Sequence, residues 1–189
     1  MRWAELNGEA CSMARAVSVI GDRWSLLILR DCFLRVRRFD DFHARLGIAR
    51  PILADRLDKL VKNFVLTKVA YQEKPTRYEY RLTPKGLDLQ PVILSMVHWG
   101  DMHMAGRKGR PVLHEHIACQ HVFDPVMVCS ECGEPLTPQG VRVLPGPGAV
   151  DPHHLPPGAK IAKPRMARRK PAELDAPARR RKVAAPAGQ

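Results

Sequence analysis

Two pairs of histidine and cysteine side chains in the C-terminal half have the spacing of metal ligands. His116 and Cys119 are separated by two residues, as are Cys129 and Cys132, and Gly133 follows the second pair. Short turns of this kind direct two ligand atoms at one ion, and four protein ligands leave no open coordination position. The spacing therefore predicts one structural zinc ion per chain.

Other assignments of these side chains stay open. His114 or His121 could supply the nitrogen ligand in place of His116, and Cys129 and Cys132 could instead form a redox pair or remain free thiols. The chain has five cysteines, an odd number, and its N-terminus lacks the apolar core and cleavage site of a secretory signal. We therefore expect a reducing, cytoplasmic location and no disulfide framework.

The charge of the chain points to a polyanionic partner. Its 189 residues carry 31 Lys+Arg and 19 Asp+Glu, a net charge of +12, and the excess is concentrated in residues 1–105 and 151–189. Soluble nucleic acid is the commonest polyanion of the cytoplasm, so we expect the protein on the nucleoid. No stretch of about 18 apolar residues is free of charge, which predicts that no helix spans a membrane.

Apolar residues in the first 105 positions predict three helices. Trp24, Ile28 and Cys32 mark the buried side of the first, whose outer side could hold an ion pair between Asp31 and Arg35. The second is short: its apolar positions are Phe39, Phe42 and Leu46, and Gly47 ends it. The third runs from about Arg50 to Asn63, with an apolar side formed by Leu53, Leu57, Leu60 and Val61.

The pattern then changes to an alternation typical of strands. Residues 65–71 and 78–82 alternate as two strands, joined by a polar tip at residues 72–77. Thr83 is placed to cap a last long helix that has Pro84 in its first turn and is bent at Pro91. That helix is too apolar to face water on three sides, so we expect it to pack against a second copy of the chain.

This order of elements is that of a winged helix-turn-helix, a mainly α fold with a small β-hairpin wing. A helix fits the major groove of B-DNA and a hairpin tip beside it can reach phosphates, whereas an isolated charged helix face is usually only solvated. In a homodimer, two such helices would read an inverted repeat in double-stranded DNA. The predicted DNA-binding residues are Arg50, Ile52, Arg56 and Lys59 on the helix and Lys74, Thr76 and Arg77 on the wing.

The segment from Cys11 to Trp99 resembles the HxlR-type transcriptional regulators, winged-helix dimers related to the MarR type. The resemblance is carried by Cys11, Gly21-Asp22-Arg23-Trp24, Arg37-Arg38-Phe39-Asp40-Asp41-Phe42, Leu53-Ala54-Asp55-Arg56-Leu57, Tyr78-Glu79-Tyr80-Arg81-Leu82-Thr83-Pro84-Lys85-Gly86 and Trp99-Gly100. Two positions depart from the family pattern. Ser12 stands where proline is usual, and Phe64 stands where glycine is usual, so we expect Asn63 to take the left-handed backbone conformation.

The resemblance also implies a role for one cysteine. Several members of the family sense oxidants or electrophiles through an N-terminal cysteine, and Cys11 occupies the matching position. Its place before a helix, with Arg15 one turn further on, favours the reactive thiolate form. The alternative is an inert core residue, which is what we expect for Cys32 on the buried stripe.

Together these features predict three regions and one function. Residues 1–105 form the winged-helix and dimerisation domain, residues 106–144 a small zinc-ribbon-like Cys/His lobe, and residues 145–189 a disordered, basic Pro/Ala-rich tail. The predicted function is a sequence-specific DNA-binding transcriptional regulator that acts as a repressor. The alternative is a protein-interaction or non-specific DNA-coating module on the same scaffold. No phosphate-binding glycine loop, G-x-S-x-G or H-E-x-x-H motif is present, so we do not expect an enzyme.

Overall fold

The computed structural model describes residues 11–144 and residue 146. Along these residues the chain forms six helices and two antiparallel hairpins of paired strands, and a single bridge between Val128 and Pro135 closes a third, smaller hairpin. The elements are α1 (Ser12–Ile20), α2 (Arg23–Phe33), α3 (Phe39–Leu46), α4 (Arg50–Lys62), β1 (Leu66–Gln72), β2 (Arg77–Leu82), α5 (Pro84–Leu87), α6 (Gln90–Met104), β3 (Glu115–His116) and β4 (His121–Val122). The N-terminal ten residues and the predicted basic tail lie outside the described part. No helix within the described part is long and apolar enough to cross a membrane.

The hydrophobic core lies where α2, α3 and α4 meet the first hairpin. Its fully buried side chains include Ile28 and Leu29 of α2, Phe42 of α3, and Leu53 and Leu57 of α4. The predicted apolar stripes therefore face one another, as expected for amphipathic helices that share one core. Cys32 is also buried in this cluster, which confirms its predicted packing role.

The helices α3 and α4 form the helix-turn-helix. Gly47 ends α3 at φ +61°, a left-handed conformation that glycine adopts without steric cost. Ile48 is buried in the short turn, and α4 begins at Arg50 with Pro51 in its first turn. Proline is favoured there because its missing N–H would have no partner within the helix. The turn thus fixes the angle at which α4 leaves the core.

The wing is the hairpin of β1 and β2. The strands pair Leu66 with Leu82 and Lys68 with Tyr80, which places Leu66 and Tyr80 on the buried side. An isolated antiparallel bridge between Arg38 and Glu79 joins the segment before α3 to β2. The wing is therefore attached to the helix-turn-helix along its length rather than only at its base.

The predicted outer ion pair between Asp31 and Arg35 is wrong. Asp31 is completely buried, and its carboxylate accepts hydrogen bonds from Nε of Arg30 at 2.9 Å and Nε of Arg45 at 3.2 Å. Arg35 lies beyond the end of α2 at φ +65°, so it does not continue the helix. The buried carboxylate therefore joins α2 to α3.

Two further details of the prediction are wrong. Thr83 caps a helix with Pro84 in its first turn, as predicted, but this helix, α5, is short. The long helix α6 is separate, and Pro91 lies in its first turn rather than bending it. The left-handed residue after α4 is Phe64, at φ +57°, while Asn63 has φ −91° and donates a side-chain hydrogen bond to the carbonyl of Lys59. Phe64 is 74 % exposed, so its ring meets no steric obstacle there.

Candidate nucleic-acid interface

One side of α4 is packed on the core and the opposite side faces solvent. Leu53, Leu57 and Leu60 form the buried stripe, whereas Ile52 is 42 % exposed and Asp55 is also exposed. Ile52 thus offers an apolar contact at the surface, as a thymine methyl group would require. Asp55 was not among the predicted contacts, although its spacing from Ile52 places it on the same exposed side.

Arg50 lies at the N-terminal end of this exposed side. Its Nη2 atom is 2.9 Å from Oδ1 of Asp40, and its guanidinium lies 5.6 Å from the centre of the Phe39 ring. Both side chains of the ion pair are largely exposed, so the pair contributes little to stability and can exchange for a phosphate. Arg50, which the sequence predicts as a DNA contact, is therefore accessible at the protein surface.

Arg56 and Lys59 are held against the start of α2. The carboxylate of Asp22 lies 3.1 Å from Nε of Arg56 and 3.8 Å from Nζ of Lys59, and Arg56 is only 30 % exposed. Nε of Arg56 is buried and not aligned for a hydrogen bond, so its contact with Asp22 is mainly electrostatic. Nη1 of Arg56 also donates to Asp55 at 2.5 Å. Both basic side chains therefore stabilise the junction of α4 with α2.

Asp22 is the centre of this junction because it also caps α2. Its carboxylate accepts hydrogen bonds from the backbone N–H groups of Trp24 and Ser25 at 3.1 and 3.0 Å. Burial raises the pKa of Asp22, but the hydrogen bonds from Ser25 and the charges of Arg56 and Lys59 outweigh it, so the pKa lies below its usual value. The carboxylate is thus ionised at neutral pH.

The wing tip carries the other predicted contacts on its surface. Lys74, Thr76 and Arg77 are all exposed, and the Thr76 hydroxyl donates to the carbonyl of Glu73 at 3.0 Å. The side-chain amide of Gln72 donates to the carbonyl of Lys74 at 3.0 Å. These bonds order the tip around its two basic side chains.

The structure adds Arg38 to this basic surface. Its guanidinium stacks 4.6 Å from the centre of the Tyr71 ring, and it borders an open cleft of about 510 Å³ together with Arg77 and Tyr78. The sequence did not predict this residue as part of the site, because long-range contacts with Glu79 and Tyr71 bring it to the wing. The two adjacent arginines before α3 were the only sign in the local sequence that this segment belongs to the basic surface.

The two N-terminal cysteines have different environments. Cys11 is half-buried at the N-cap position of α1, so it stands directly before a helix, as the sequence predicts. Burial, and then the charge of Asp31, raises the pKa of the Cys32 thiol to about 12. Cys32 therefore remains a neutral thiol at physiological pH, which makes it unreactive.

The Cys/His lobe has two small hairpins with similar tips. In the first, the backbone N–H groups of Cys119 and Gln120 donate to the carbonyl of His116, and Nδ1 of His116 lies 3.3 Å from the Cys119 sulfur. In the second, hydrogen bonds from the backbone N–H groups of Cys132 and then Glu131 lower the pKa of Cys129. Within the described residues, no three or more His, Cys, Asp or Glu side chains form a group that could hold a metal.

The outer face of α6 is apolar and uncovered in the described chain. Trp99 is 61 % exposed, and with Val92 and Met96 it lines a groove of about 460 Å³ that Met127 of the lobe completes. The lobe contacts the same helix, because Asp124, which pairs with Arg110 inside the lobe, also lies 3.6 Å from Nδ1 of His98 in α6. An apolar groove of this size on a small protein marks an interaction surface.

A surface helix of a helix-turn-helix beside a basic hairpin defines a winged-helix DNA-binding fold. The sequence model of the HxlR-like helix-turn-helix family matches residues 19–108. An uncharacterized HTH-type transcriptional regulator of Mycobacterium tuberculosis H37Rv, Rv3095, is 42 % identical over 140 residues, which are 74 % of this chain and 89 % of that protein. A span of that length must reach residue 140 or beyond, so it includes most of the lobe.

Solved structures give the same picture. The chain is similar to PA1607, a proposed transcription factor, with 34 % identity and a TM-score of 0.66 over 74 % of this chain and 97 % of that one. It is also similar to PA1374 of Pseudomonas aeruginosa, with 32 % identity and a TM-score of 0.53 over 76 % and 97 % of the two chains. The chain belongs to the HxlR-like helix-turn-helix family. It is a transcriptional regulator and not an enzyme, which confirms the predicted family, the mainly α fold with a β wing, and the class of function.

Proposed function

We propose that the protein is a sequence-specific repressor that binds an inverted repeat as a homodimer. The observation that carries the proposal is the joint surface of α4 and the wing, where Ile52, Arg50 and the basic tip face solvent on one side of the core. An exposed helix of this width fits the major groove, and the wing tip is placed to contact the flanking phosphates.

The contacts divide by the chemistry of each side chain. Ile52 and Arg50 are candidates for base contacts, whereas Lys74, Thr76 and Arg77 are placed to bind phosphate oxygens. Arg56 and Lys59 remain predicted contacts, but each already interacts with Asp22. Arg56 could reach a base only by giving up that interaction, so its replacement should affect folding as well as DNA recognition.

The apolar face of α6 supports the dimer. Covering Trp99, Val92 and Met96 with the same face of a second copy would remove a large apolar area from water. A twofold dimer would hold two α4 helices roughly 34 Å apart, the spacing of successive major grooves on one side of the duplex. A dimer of this kind covers an operator and blocks polymerase without a separate activating surface, and it acts on the nucleoid.

Cys11 remains the candidate for the signal. Its half-buried position at the start of α1 would let oxidation alter the packing of that helix. Such a change affects DNA binding only if the oxidised form favours a different spacing of the two recognition helices. Replacing Cys11 with serine should therefore abolish any effect of peroxide on operator affinity.

The first test is fluorescence anisotropy with DNA from the protein's own promoter region and unrelated DNA of equal length at physiological salt. We expect the promoter fragment to bind at least about a hundredfold more tightly. Equal affinity for both DNAs, also without residues 151–189, would instead favour the DNA-coating alternative. Light scattering should show a dimer that Trp99→Ser weakens, with exposed Met13→Ser in α1 as the matched control.

A further inference from the structure

We propose that His116, Cys119, Cys129 and Cys132 of the lobe bind one structural Zn²⁺ ion. The site is separate from the DNA-binding surface, and its test does not depend on the proposed repressor function. These residues supply three thiolates and one imidazole, a ligand set that binds zinc in closed tetrahedral sites. Binding would release the protons of the three thiols to solvent and would involve no change of oxidation state.

The two hairpin tips are already shaped as ligand turns. A residue with positive φ stands four positions after the first ligand of each pair: Gln120 at φ +58° after His116, and Gly133 at φ +79° after Cys129. In both tips the N–H of that residue donates to the carbonyl of the first ligand, at 2.7 and 2.9 Å. The same backbone turn therefore occurs twice, and each time it brings the two potential ligands of one pair together.

Strand pairing at the base of each turn orients the ligands further. β3 and β4 pair His116 with His121, and Val128 pairs with Pro135 on the other side of the second turn. At the second tip, the backbone N–H of Cys129 donates to the carbonyl of Glu134 at 2.8 Å. Two hairpins that each carry two ligands at the tip form the framework of a zinc ribbon.

The structure also selects among the three histidines. Nδ1 of His116 lies 3.3 Å from the Cys119 sulfur, so the two donor atoms converge. Nδ1 of His121 lies instead 2.6 Å from the carbonyl oxygen of Cys119. The rings of His114 and His116 both pack on Phe123, but only His116 has a ring nitrogen close to a cysteine sulfur. His116 is therefore the nitrogen ligand.

The lobe needs a crosslink because it has no core of its own. Among the described residues, the buried hydrophobic side chains end at Ile93, while Ile117, Val122, Met127 and Val128 are all more than half exposed. A segment of about 40 residues seldom folds without a metal, a disulfide or a partner. The described side chains do not form a group of three or more ligands, so binding one zinc ion to all four residues requires the two ligand pairs to move toward each other. The apolar residues between them would then be covered.

The test uses the full chain, purified under reducing conditions from zinc-supplemented medium. Elemental analysis should give one zinc per chain, and Cys129→Ser with Cys132→Ser should lose it. Cys11→Ser is the matched control and should retain it. Far-ultraviolet circular dichroism checks that the helices, which lie outside the lobe, remain folded in each variant. Protein that is metal-free and takes up no added Zn²⁺ would overturn the proposal, as would a Cys129–Cys132 disulfide in protein isolated from a reducing cytosol.

Cobalt substitution tests the ligand set itself. Thiolate-to-cobalt absorption should correspond to three Co–S bonds in the wild type and to two in Cys119→Ser. His116→Ala should keep all three Co–S bonds. Its zinc affinity should fall by at least about tenfold, because losing even a residue that only hydrogen-bonds to a metal ligand typically costs that much. His114→Ala and His121→Ala should leave the affinity unchanged. Loss of affinity in either of these, with none in His116→Ala, would contradict the assigned ligand set.

Discussion

Replacing Arg45 with methionine should destabilise the protein although Arg45 lies on the surface. Asp31 is completely buried, and its two carboxylate oxygens are bonded separately by Arg30 and Arg45. The Arg45→Met variant leaves one oxygen of a buried carboxylate without its charged donor. A hydrogen bond to a charged group contributes about 1.5–3 kcal/mol. Since the Arg45 side chain is 48 % exposed, we expect the free energy of unfolding to fall by an amount near the lower end of this range, about 1.5 kcal/mol.

Urea unfolding followed by circular dichroism measures this loss. With a slope of about 1.5 kcal/mol per molar urea, the midpoint should fall by about 1 M. Arg107→Met, in the exposed loop after α6, is the matched control and should change the midpoint little. The double variant Asp31→Asn, Arg45→Met should be less destabilised than the sum of the single variants, because the two residues act on one interaction. A loss below about 0.3 kcal/mol in Arg45→Met would refute the assigned role of the buried pair.

Three other perturbations give distinct outcomes. Lys74→Ala should weaken binding to all DNA sequences alike and reduce the slope of log affinity against log salt concentration by about one. Removing residues 151–189 should reduce this slope further, and an unchanged slope would exclude the tail from DNA binding. Asp22→Asn keeps the cap of α2 but loses the charge, so it should cost about 1 kcal/mol at pH 7. Because the folded pKa of Asp22 lies below 3.8, the wild type should lose this advantage only as the pH falls below about 4, which acid titration of the unfolding midpoint would show. At pH 8 the thiolate fraction of Cys32 should be about a thousandfold lower than that of an ordinary cysteine, so Cys32 should resist alkylation by iodoacetamide. Rapid alkylation of Cys32, measured by mass spectrometry, would contradict its burial.

The order of helices and wing could be predicted because its signals are local. Apolar spacing along α3 and α4, Gly47 at the end of α3 and the alternation in the wing each depend on a few neighbouring residues. Side-chain partners could not be predicted in the same way. Asp31 bonds Arg45 across 14 positions and is buried, whereas the sequence offered Arg35 within the same helix.

The candidate site shows the same division. The side of α4 that faces solvent follows from its apolar spacing, but the contacts of Arg56 do not, since Asp22 lies in another helix. Arg38 contacts the wing through its bridge to Glu79 and its stacking on Tyr71, both of which join residues far apart in the sequence. The ligand pairs of the lobe were visible as short spacings, while the distance between the pairs depends on tertiary structure that no local pattern records.

The lobe and the proposed dimer surface share one groove, which links the two proposals. Met127 of the lobe lines the groove beside Met96 and Trp99, and Asp124 of the lobe lies 3.6 Å from Nδ1 of His98 in α6. A zinc ion that orders the lobe would also fix the position of Met127 at this surface. Coupling of this kind is reciprocal: if zinc tightens the dimer by some factor, dimer formation must tighten zinc binding by the same factor. The zinc ion would then act on operator binding without touching DNA, through the spacing of the two α4 helices.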